Sequence, residues 1–375
     1  YKCSSIMTTV MMALMLLSPC DNRQNIAIDT ANTDTSALVR VDYLAADQAA
    51  GRYRTGTVDP VVISIPLVFE LLVFSQPEKY LPELVQYFKY QADNEYHVIK
   101  LIHDWITMQI AYEFDAETDA VKLLALCRTN CVGYANLFRL LAGYAGIRSE
   151  VAIGYSRTYM FTDGRQGNHA WNVVWISGKK YLVDTTHDAR MRVRDNTTNP
   201  LGKYSDDELF LNPEYKFSIN LPLEDEYQLL LPLRSYSLFM NQPRVRIGFF
   251  KYGLSIKDQA FLDNRHLMKT PIRTAGISGI SDAFDTRQKP LRISISTPAS
   301  VKLRATMQRV PENEGSGMAL QTAEEPDLIL PETTLDSAIF MLSSPDENTW
   351  RVNIQARFAD SSEWESVYSF ILSPL

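Results

Sequence analysis

Three residues whose types suit nucleophilic catalysis follow one another along the chain: Cys131, His169 and Asp184. In a cysteine triad the imidazole accepts the thiol proton, while the carboxylate fixes the imidazole tautomer and stabilises its charged form. A helix N-terminus beside the thiol also favours the thiolate. The sequence therefore predicts Cys131 as a nucleophile with a thiol pKa below that of a free cysteine, His169 as its base, and Asp184 as the carboxylate that orients His169.

The elements that must position these residues follow from local patterns. From Cys131 onward, apolar residues recur at helical spacing as far as Leu141, and Gly143 and Gly146 suit the end of a helix. This pattern predicts a helix with the thiol at its N-terminal end. Apolar and alternating runs predict strands over residues 148–157, 169–176 and 181–184.

The register between the last two strands decides whether His169 and Asp184 can meet. A two-residue hairpin turn at Ser177-Gly178 places Asp184 opposite Trp171 and diagonal to His169. Diagonal pairs have Cβ atoms about 7–8 Å apart, within reach of a hydrogen bond between the side chains. A turn shifted by one residue would separate the pair by about 13 Å along the strand. The Ser177-Gly178 turn is therefore the predicted one.

The residues around the triad resemble those of a known family. The motifs are Cys131-Val-Gly-Tyr-Ala, His169-Ala-Trp-Asn and Leu182-Val-Asp, with Asn130 where a glycine is common. They are similar to those of the transglutaminase-like superfamily of papain-related folds, and the resemblance is closest to kyphoscoliosis-peptidase-like proteins. Further similar segments at residues 103–112, 207–217 and 226–230 extend the resemblance over about residues 85–235.

This resemblance implies a fold, a site and a type of substrate. The fold is of the α+β class, a papain- or transglutaminase-like core of helices packed on an antiparallel sheet. The site is a catalytic triad of Cys131, His169 and Asp184 that acts on a protein or peptide substrate. No cofactor and no metal are expected.

Other histidines offer alternatives to this assignment. His187 follows Asp184 closely and is a rival base, and His169, Asp184 and His187 together could bind a metal, although no spaced Cys/His pair of the usual zinc type occurs. The triad is preferred to both alternatives. His97 and His103 belong to a segment with apolar residues at helical spacing, and their interpretation is packing or capping.

The N-terminal residues predict that the protein is exported from the cytoplasm. An apolar run over residues 8–17 follows Lys2 and precedes Ser18-Pro-Cys20, which is typical of a secretory signal peptide over residues 1–20. The same residues resemble a bacterial lipoprotein signal in which Cys20 becomes lipidated, and this interpretation is preferred to plain secretion. The prediction is an exported protein of the cell envelope that contacts the membrane only through a lipid anchor.

The remaining chain divides into three predicted parts. Residues 21–59 form a polar tether and a first helix, and residues 60–235 form the catalytic domain, with helices over residues 61–74 and 80–112. Residues 236–375 form an Ig-like β-sandwich that could bind a protein partner. Its predicted strands cover residues 245–250, 291–296, 301–306, 338–342, 350–358 and 367–372. The net charge of -7 and the lack of a Lys/Arg-rich run argue against nucleic acid.

Taken from the sequence, the function is that of a cysteine hydrolase or acyltransferase that acts on peptide or amide bonds. Hydrolysis needs only water as acceptor, so a peptidase is favoured over a cross-linking enzyme. The alternative is a non-catalytic surface binding protein whose core is a scaffold, and a cell-wall peptide amidase is a further reading. A disulfide between Cys127 and Cys131 would silence the nucleophile, and a free thiol is preferred.

Overall fold

The computed structural model of the protein describes residues 44–156, 167–189, 204–236, 239, 244–256, 291–309, 326–343 and 350–372. They fall into two compact units. One contains the chain up to Ile153 together with His169–Leu211, and the other contains Gly154–Asn168 and Asn212–Leu375. The predicted signal peptide and Cys20 lie outside the described residues. The predicted domain boundaries after residues 20, 59 and 235 stay predictions.

The helices before Cys131 belong to the first unit. Its described residues form α1 (Gln48–Gly51), α2 (Pro60–Ile63), α3 (Leu67–Ser75), α4 (Pro77–Gln91) and α5 (Glu95–Gln109). The predicted helices are confirmed with interruptions. The one over residues 61–74 is broken before Leu67 by Pro66, whose nitrogen carries no hydrogen, and the one over residues 80–112 is divided at residues 92–94. Asn94 then caps α5 through the N–H of His97. Residues 111–112 are a strand, β1, and their assignment to a helix is wrong.

The remaining elements of the first unit carry the predicted site. They are β2 (Arg128–Thr129), α6 (Cys131–Ala145), β3 (Ser149–Ser156, in this unit as far as Ile153), β4 (His169–Ile176), β5 (Lys179–Val183) and α7 (Thr185–Ala189). Gly146 ends α6 with a left-handed φ of 80°, as predicted. Strand β4 lies between β3 and β5. The predicted hairpin register is confirmed: Asn172 pairs with Val183, and Ser177 and Gly178 form the turn with φ of 49° and 80°.

The core of the first unit lies among these helices and the sheet. Trp105 of α5 is fully buried and stacks on Phe74 of α3, with 5.8 Å between the ring centroids. Tyr134 and Phe138 of α6 are buried in the same hydrophobic cluster. None of the helices in the described ranges is both long and apolar enough to cross a membrane.

The second unit is built mainly from two antiparallel sheets. Strands β7 (Arg244–Val245), β10 (Val301–Arg309), β11 (Asp327–Ile329), β14 (Trp350–Phe358) and β15 (Glu365–Leu372) form one sheet in the order β11-β10-β14-β15-β7. Strands β8 (Ser255–Ile256), β9 (Leu291–Ser296), β12 (Glu332–Thr333) and β13 (Ser337–Leu342) form the other in the order β12-β13-β9-β8. Buried residues from both sheets make one hydrophobic cluster, with Phe340 and Phe370 fully buried.

The second unit also contains helix α8 (Pro213–Ile219), strand β6 (Asn220–Pro222) and helix α9 (Ile247–Lys251). Strand β6 pairs with the last three residues of β3. The predicted strand over residues 245–250 is wrong beyond Val245, because the chain turns into α9. The turn places Phe249 in the hydrophobic cluster, and Gly248 lies so close to the Glu365 carboxylate that a Cβ would be 2.5 Å from Oε1.

Candidate active site

Cys131 is the first residue of α6, and its thiol is free. Asn130 caps this helix, because its side-chain oxygen accepts hydrogen bonds from the N–H groups of Val132 (3.0 Å) and Gly133 (3.4 Å). The Asn130 amide also donates to the carbonyl of Phe114 at 3.1 Å. The residue that replaces the common glycine therefore fixes the start of the helix that carries the thiol.

The two motif residues after Cys131 also hold the helix in place. A Cβ on Gly133 would lie 1.8 Å from Oγ1 of Thr129, whose hydroxyl donates to the carbonyl of Glu117 at 2.6 Å. The hydroxyl of Tyr134 donates to the carbonyl of Ile110 at 2.6 Å, and its ring is fully buried. The glycine is therefore required by close packing, and the tyrosine anchors α6 to the end of α5.

His169 and Asp184 form the predicted contact. His169 is the first residue of β4 and Asp184 directly follows β5, and Nε2 of His169 lies 2.7 Å from Oδ2 of Asp184. Both side chains are fully buried. The other carboxylate oxygen, Oδ1, accepts the N–H groups of Thr186 (3.2 Å) and His187 (3.4 Å). The indole of Trp171 is buried, with its centroid 5.9 Å from that of the His169 ring, and shields the pair from water.

Strand β4 also holds the thiol beside this pair. The backbone N–H of Ala170, the residue after His169, is near enough to the Cys131 sulfur to lower the pKa of the thiol. The buried amide of Asn172 donates to the carbonyl of Ala135 in α6 at 3.0 Å and to Oγ of Ser149 in β3 at 3.3 Å. The last residue of the His-Ala-Trp-Asn motif thus joins the strand of the histidine to the helix of the thiol.

Part of the chain that carries this arrangement matches a known protein family. Residues 82–184 match the profile of the transglutaminase-like superfamily, and the matched stretch contains Cys131, His169 and Asp184. The chain carries a transglutaminase-like domain.

Curated relatives match part of the chain. Kyphoscoliosis peptidase of Mus musculus is 29% identical over 186 residues, and the human protein is 28% identical over 185 residues; each match covers 46% of this chain and 28% of the relative. Hillarin of Drosophila melanogaster is 27% identical over 238 residues, which cover 58% of this chain and 29% of hillarin. The chain therefore spans less than a third of the length of these relatives.

In the transglutaminase-like domain, the ionisation of Cys131 differs from the sequence prediction. Burial raises the pKa of the Cys131 thiol, and the negative charge of Asp184 raises it further. The backbone N–H of Ala170 in β4 lowers the pKa, and so do those of Val132 and Cys131 at the helix N-terminus, but the net shift is upward. The predicted depressed pKa is therefore wrong, because burial outweighs the helix.

His187 lies within the same site of the domain. Its ring stacks on that of His169, with centroids 4.7 Å apart and an angle of 20°, and its Nδ1 is 3.4 Å from Oδ2 of Asp184 and 3.5 Å from Oε2 of Glu208. Ligand atoms of His169, Asp184 and His187 all lie within 4.8 Å of one another, so these residues could hold a metal ion. A metal there would replace the hydrogen bond between His169 and Asp184, and the same contacts already fit the triad.

The two histidines of α5 were predicted to pack or cap. His97 caps: its Nδ1 accepts the backbone N–H of Asp93 at 3.3 Å at the start of the helix, and its Nε2 lies 3.0 Å from the Asp59 carboxylate. His103 is fully buried among charged groups and contacts Asp188, three residues after Thr185 in α7. The sequence did not predict the hydrogen bonds that Asn130, Asn172 and His103 make. The motifs contain these residues but do not indicate their partners.

Proposed function

We propose that this protein is a cysteine hydrolase or acyltransferase that acts on peptide or amide bonds, with Cys131 as nucleophile, His169 as base and Asp184 as orienting carboxylate. The observation that carries the proposal is the joint placement of the three side chains. The backbone N–H of Ala170, next to His169, and the charge of Asp184 both act on the pKa of the Cys131 thiol, and Nε2 of His169 lies 2.7 Å from Oδ2 of Asp184. The similarity to kyphoscoliosis peptidase supports peptide substrates.

The proposed chemistry assigns each proton. The Cys131 proton passes to Nδ1 of His169, since Nε2 faces Asp184. As the sulfur attacks the carbonyl carbon, the backbone N–H of Cys131 stabilises the developing oxyanion. The C–N bond then breaks, and the amine leaves with the proton from His169. Water cleaves the thioester, its hydroxyl joining the acyl group and its other proton returning to sulfur through His169.

Hydrolysis is favoured over cross-linking, because it requires water rather than a second bound substrate. An acyltransferase would use an amine in place of that water. The runner-up is a binding protein with an inactive core, and the observation that favours it is the upward shift of the Cys131 thiol pKa through burial. The two functions differ in whether His169 assists the thiol.

Alkylation with iodoacetamide, followed by mass spectrometry at Cys131, tests this point. At neutral pH, Cys131 of the unaltered protein should react at least ~10-fold faster than in His169→Ala, because the imidazole accepts the thiol proton. His97→Ala serves as the matched control and should leave the rate unchanged, since His97 contacts Asp59 and Asp93 instead. Equal rates in the unaltered protein and His169→Ala would favour the binding function.

The remaining parts of the proposal concern the localisation of the protein and its binding partners. The two sheets of the second unit form an Ig-like β-sandwich that binds a protein partner. The chain is exported and anchored in the cell envelope through lipidated Cys20. Fractionation of full-length protein expressed in a bacterium tests the anchor: it should sediment with membranes, and Cys20→Ser should release it or leave the signal uncleaved. Recovery of uncleaved, unaltered protein in the soluble fraction contradicts export.

A further inference from the structure

His103 is held by carboxylates on both of its ring nitrogens. Nδ1 lies 3.0 Å from Oδ1 of Asp104, and Nε2 lies 2.9 Å from Oδ2 of Asp188. All three side chains are buried. A neutral imidazole donates from one nitrogen only, whereas an ionised carboxylate only accepts. Burial raises the pKa of Asp188, yet its two oxygens accept the Glu208 N–H and the Ser205 hydroxyl, as an ionised carboxylate does. With both carboxylates ionised, His103 donates from both nitrogens and is an imidazolium.

The Asp188 carboxylate extends this contact toward the site. Its Oδ2 also accepts the backbone N–H of Glu208 at 3.0 Å, and its Oδ1 accepts the hydroxyl of Ser205 at 2.6 Å. The carbonyl of the same Glu208 accepts the backbone N–H of Asp184 at 2.9 Å. A continuous series of hydrogen bonds thus joins His103, Asp188, Glu208 and Asp184, and Asp184 in turn bonds His169.

Other charged groups surround His103 on the elements packed against it. Lys100, one turn earlier in α5, lies 3.0 Å from Asp104 and 3.0 Å from Asp206, and Tyr204 donates a hydrogen bond to Asp104. Glu208 lies beyond Asp188. The two flanking carboxylates, Asp104 and Asp188, overcome the effect of burial and raise the pKa of His103 from 6.5 to about 9. The cation therefore persists at neutral pH.

We propose that His103 is a positioning residue for the candidate triad: its imidazolium holds Asp188 and, through Glu208, the backbone of Asp184, so that the Asp184 carboxylate stays aimed at His169. The inference rests on the proposed function and adds a residue that does not touch the reacting atoms. It also gives a role to the histidine of the His103-Asp-Trp segment, for which packing was the sequence interpretation.

The test is a double-mutant cycle on the full chain, with hydrolysis of p-nitrophenyl acetate as the readout. His103→Gln keeps one donor but loses the charge, and it should lower kcat on the order of 10²-fold with little change in KM, because a small displacement of a catalytic group suffices for such a loss. In an Asp184→Asn background the same change should lower kcat less than about 2-fold, since the group it positions is already altered.

A matched control separates positioning from general stability. His97→Gln removes another histidine of α5 that lies near two carboxylates, Asp59 and Asp93. In the described part of the chain, Asp59 meets the His103 network only through its own backbone N–H, which donates to Asp104 at 2.8 Å and does not involve the His97 side chain. His97→Gln should leave kcat unchanged. If His103→Gln does not fold, as judged by circular dichroism, Asp188→Asn tests the same link, because it retains an acceptor for Ser205 while weakening the contact with His103.

A second readout does not depend on turnover. The Asp184 charge raises the pKa of the Cys131 thiol. In a His169→Ala background, where no imidazolium forms, loss of its position should therefore move the pH midpoint of iodoacetamide alkylation downward in His103→Gln, as in Asp184→Asn. Equal kcat losses in both backgrounds, an unchanged midpoint, or the same loss in His97→Gln would overturn the inference. A lack of any effect of His169→Ala would instead overturn the proposed function, and the positioning role with it.

Discussion

Two buried histidines of the first unit contact carboxylates at similar distances, yet they are suited to different tasks. His169 lies 2.7 Å from Asp184, and His103 lies 2.9 Å from Asp188. His103 has a second carboxylate, Asp104, on its other nitrogen, whereas the residue after His169 contacts the sulfur of the nucleophile. A histidine between two carboxylates is a fixed cation, while one with a single carboxylate can accept and return a proton.

The comparison shows that burial and a carboxylate partner do not by themselves identify a base. What distinguishes His169 is the element that follows it: β4 brings Ala170 to the thiol and Asn172 to α6. His103 lies in the middle of α5, with Lys100 one turn before it and α7 opposite. Substitutions of the two histidines should therefore differ in which property is lost, proton transfer or positioning, and in how far kcat falls.

The largest expected effect is that of His169→Ala on turnover. It should lower kcat for p-nitrophenyl acetate by about 10²–10⁴-fold, because general base catalysis by the imidazole is lost. His103→Gln should lower kcat less, since His103 acts through Asp184. Steady-state kinetics of both variants check the order. A larger loss in His103→Gln than in His169→Ala would break the distinction between base and fixed cation.

Asp184→Asn should have two effects of opposite sign. Turnover should fall on the order of 10²-fold or more, because His169 loses the partner that fixes its tautomer and stabilises its charge. In a His169→Ala background, where no imidazolium forms, Asp184→Asn should move the pH midpoint for alkylation of Cys131 downward, because the Asp184 charge that raises the thiol pKa is gone. Alkylation rates across pH measure the midpoint. A midpoint that moves upward would contradict the electrostatic role assigned to Asp184.

The contact between β4 and the thiol also requires a rigid start of α6. Gly133→Ala places a methyl group 1.8 Å from Oγ1 of Thr129, so it should destabilise the protein by about 1–3 kcal/mol and lower turnover. Gly143→Ala is the matched control on the same helix, where a Cβ meets nothing within 4 Å, and should stabilise by up to about 1 kcal/mol. Urea unfolding measures both, and equal effects would contradict the crowding argument.

The last expected effect concerns stability alone and is its pH dependence due to His103. Its pKa is raised from 6.5 to about 9 on folding, so its contribution is fully present below about pH 6.5 and is lost as the pH rises through about 9. The difference in unfolding free energy between the unaltered protein and His103→Gln should shrink between about pH 6 and pH 9.5. Growth of that difference would show that His103 is not the charged member of the pair.

The sequence allowed prediction of the parts of the site that depend on local patterns. The helix that begins at Cys131, the hairpin turn at Ser177-Gly178 and the contact between His169 and Asp184 follow from spacing, and the structure has all three. Asn130 also caps the helix through a local contact. In the sequence it stands out only as a departure from the common glycine, and not as a hydrogen-bond acceptor.

Features that depend on the packing of distant segments were not predictable. The upward shift of the Cys131 pKa arises from burial, which the spacing of the motif does not reveal. His103 and Asp188 are 85 residues apart in the chain, and no local pattern joins them. The helical turn Ile247–Lys251 likewise depends on the cluster that receives Phe249. In each case a tertiary contact decides the outcome.

The most direct test of the central claim is intact-protein mass spectrometry during the reaction with p-nitrophenyl acetate. Quenched samples of the unaltered protein should contain one acetyl group, mapped by peptide analysis to Cys131, that forms in a burst and then turns over. The acetyl group should form far more slowly in His169→Ala and be absent in Cys131→Ser. Acetylation confined to other residues, or at Cys131 with the same rate in His169→Ala, would contradict the account.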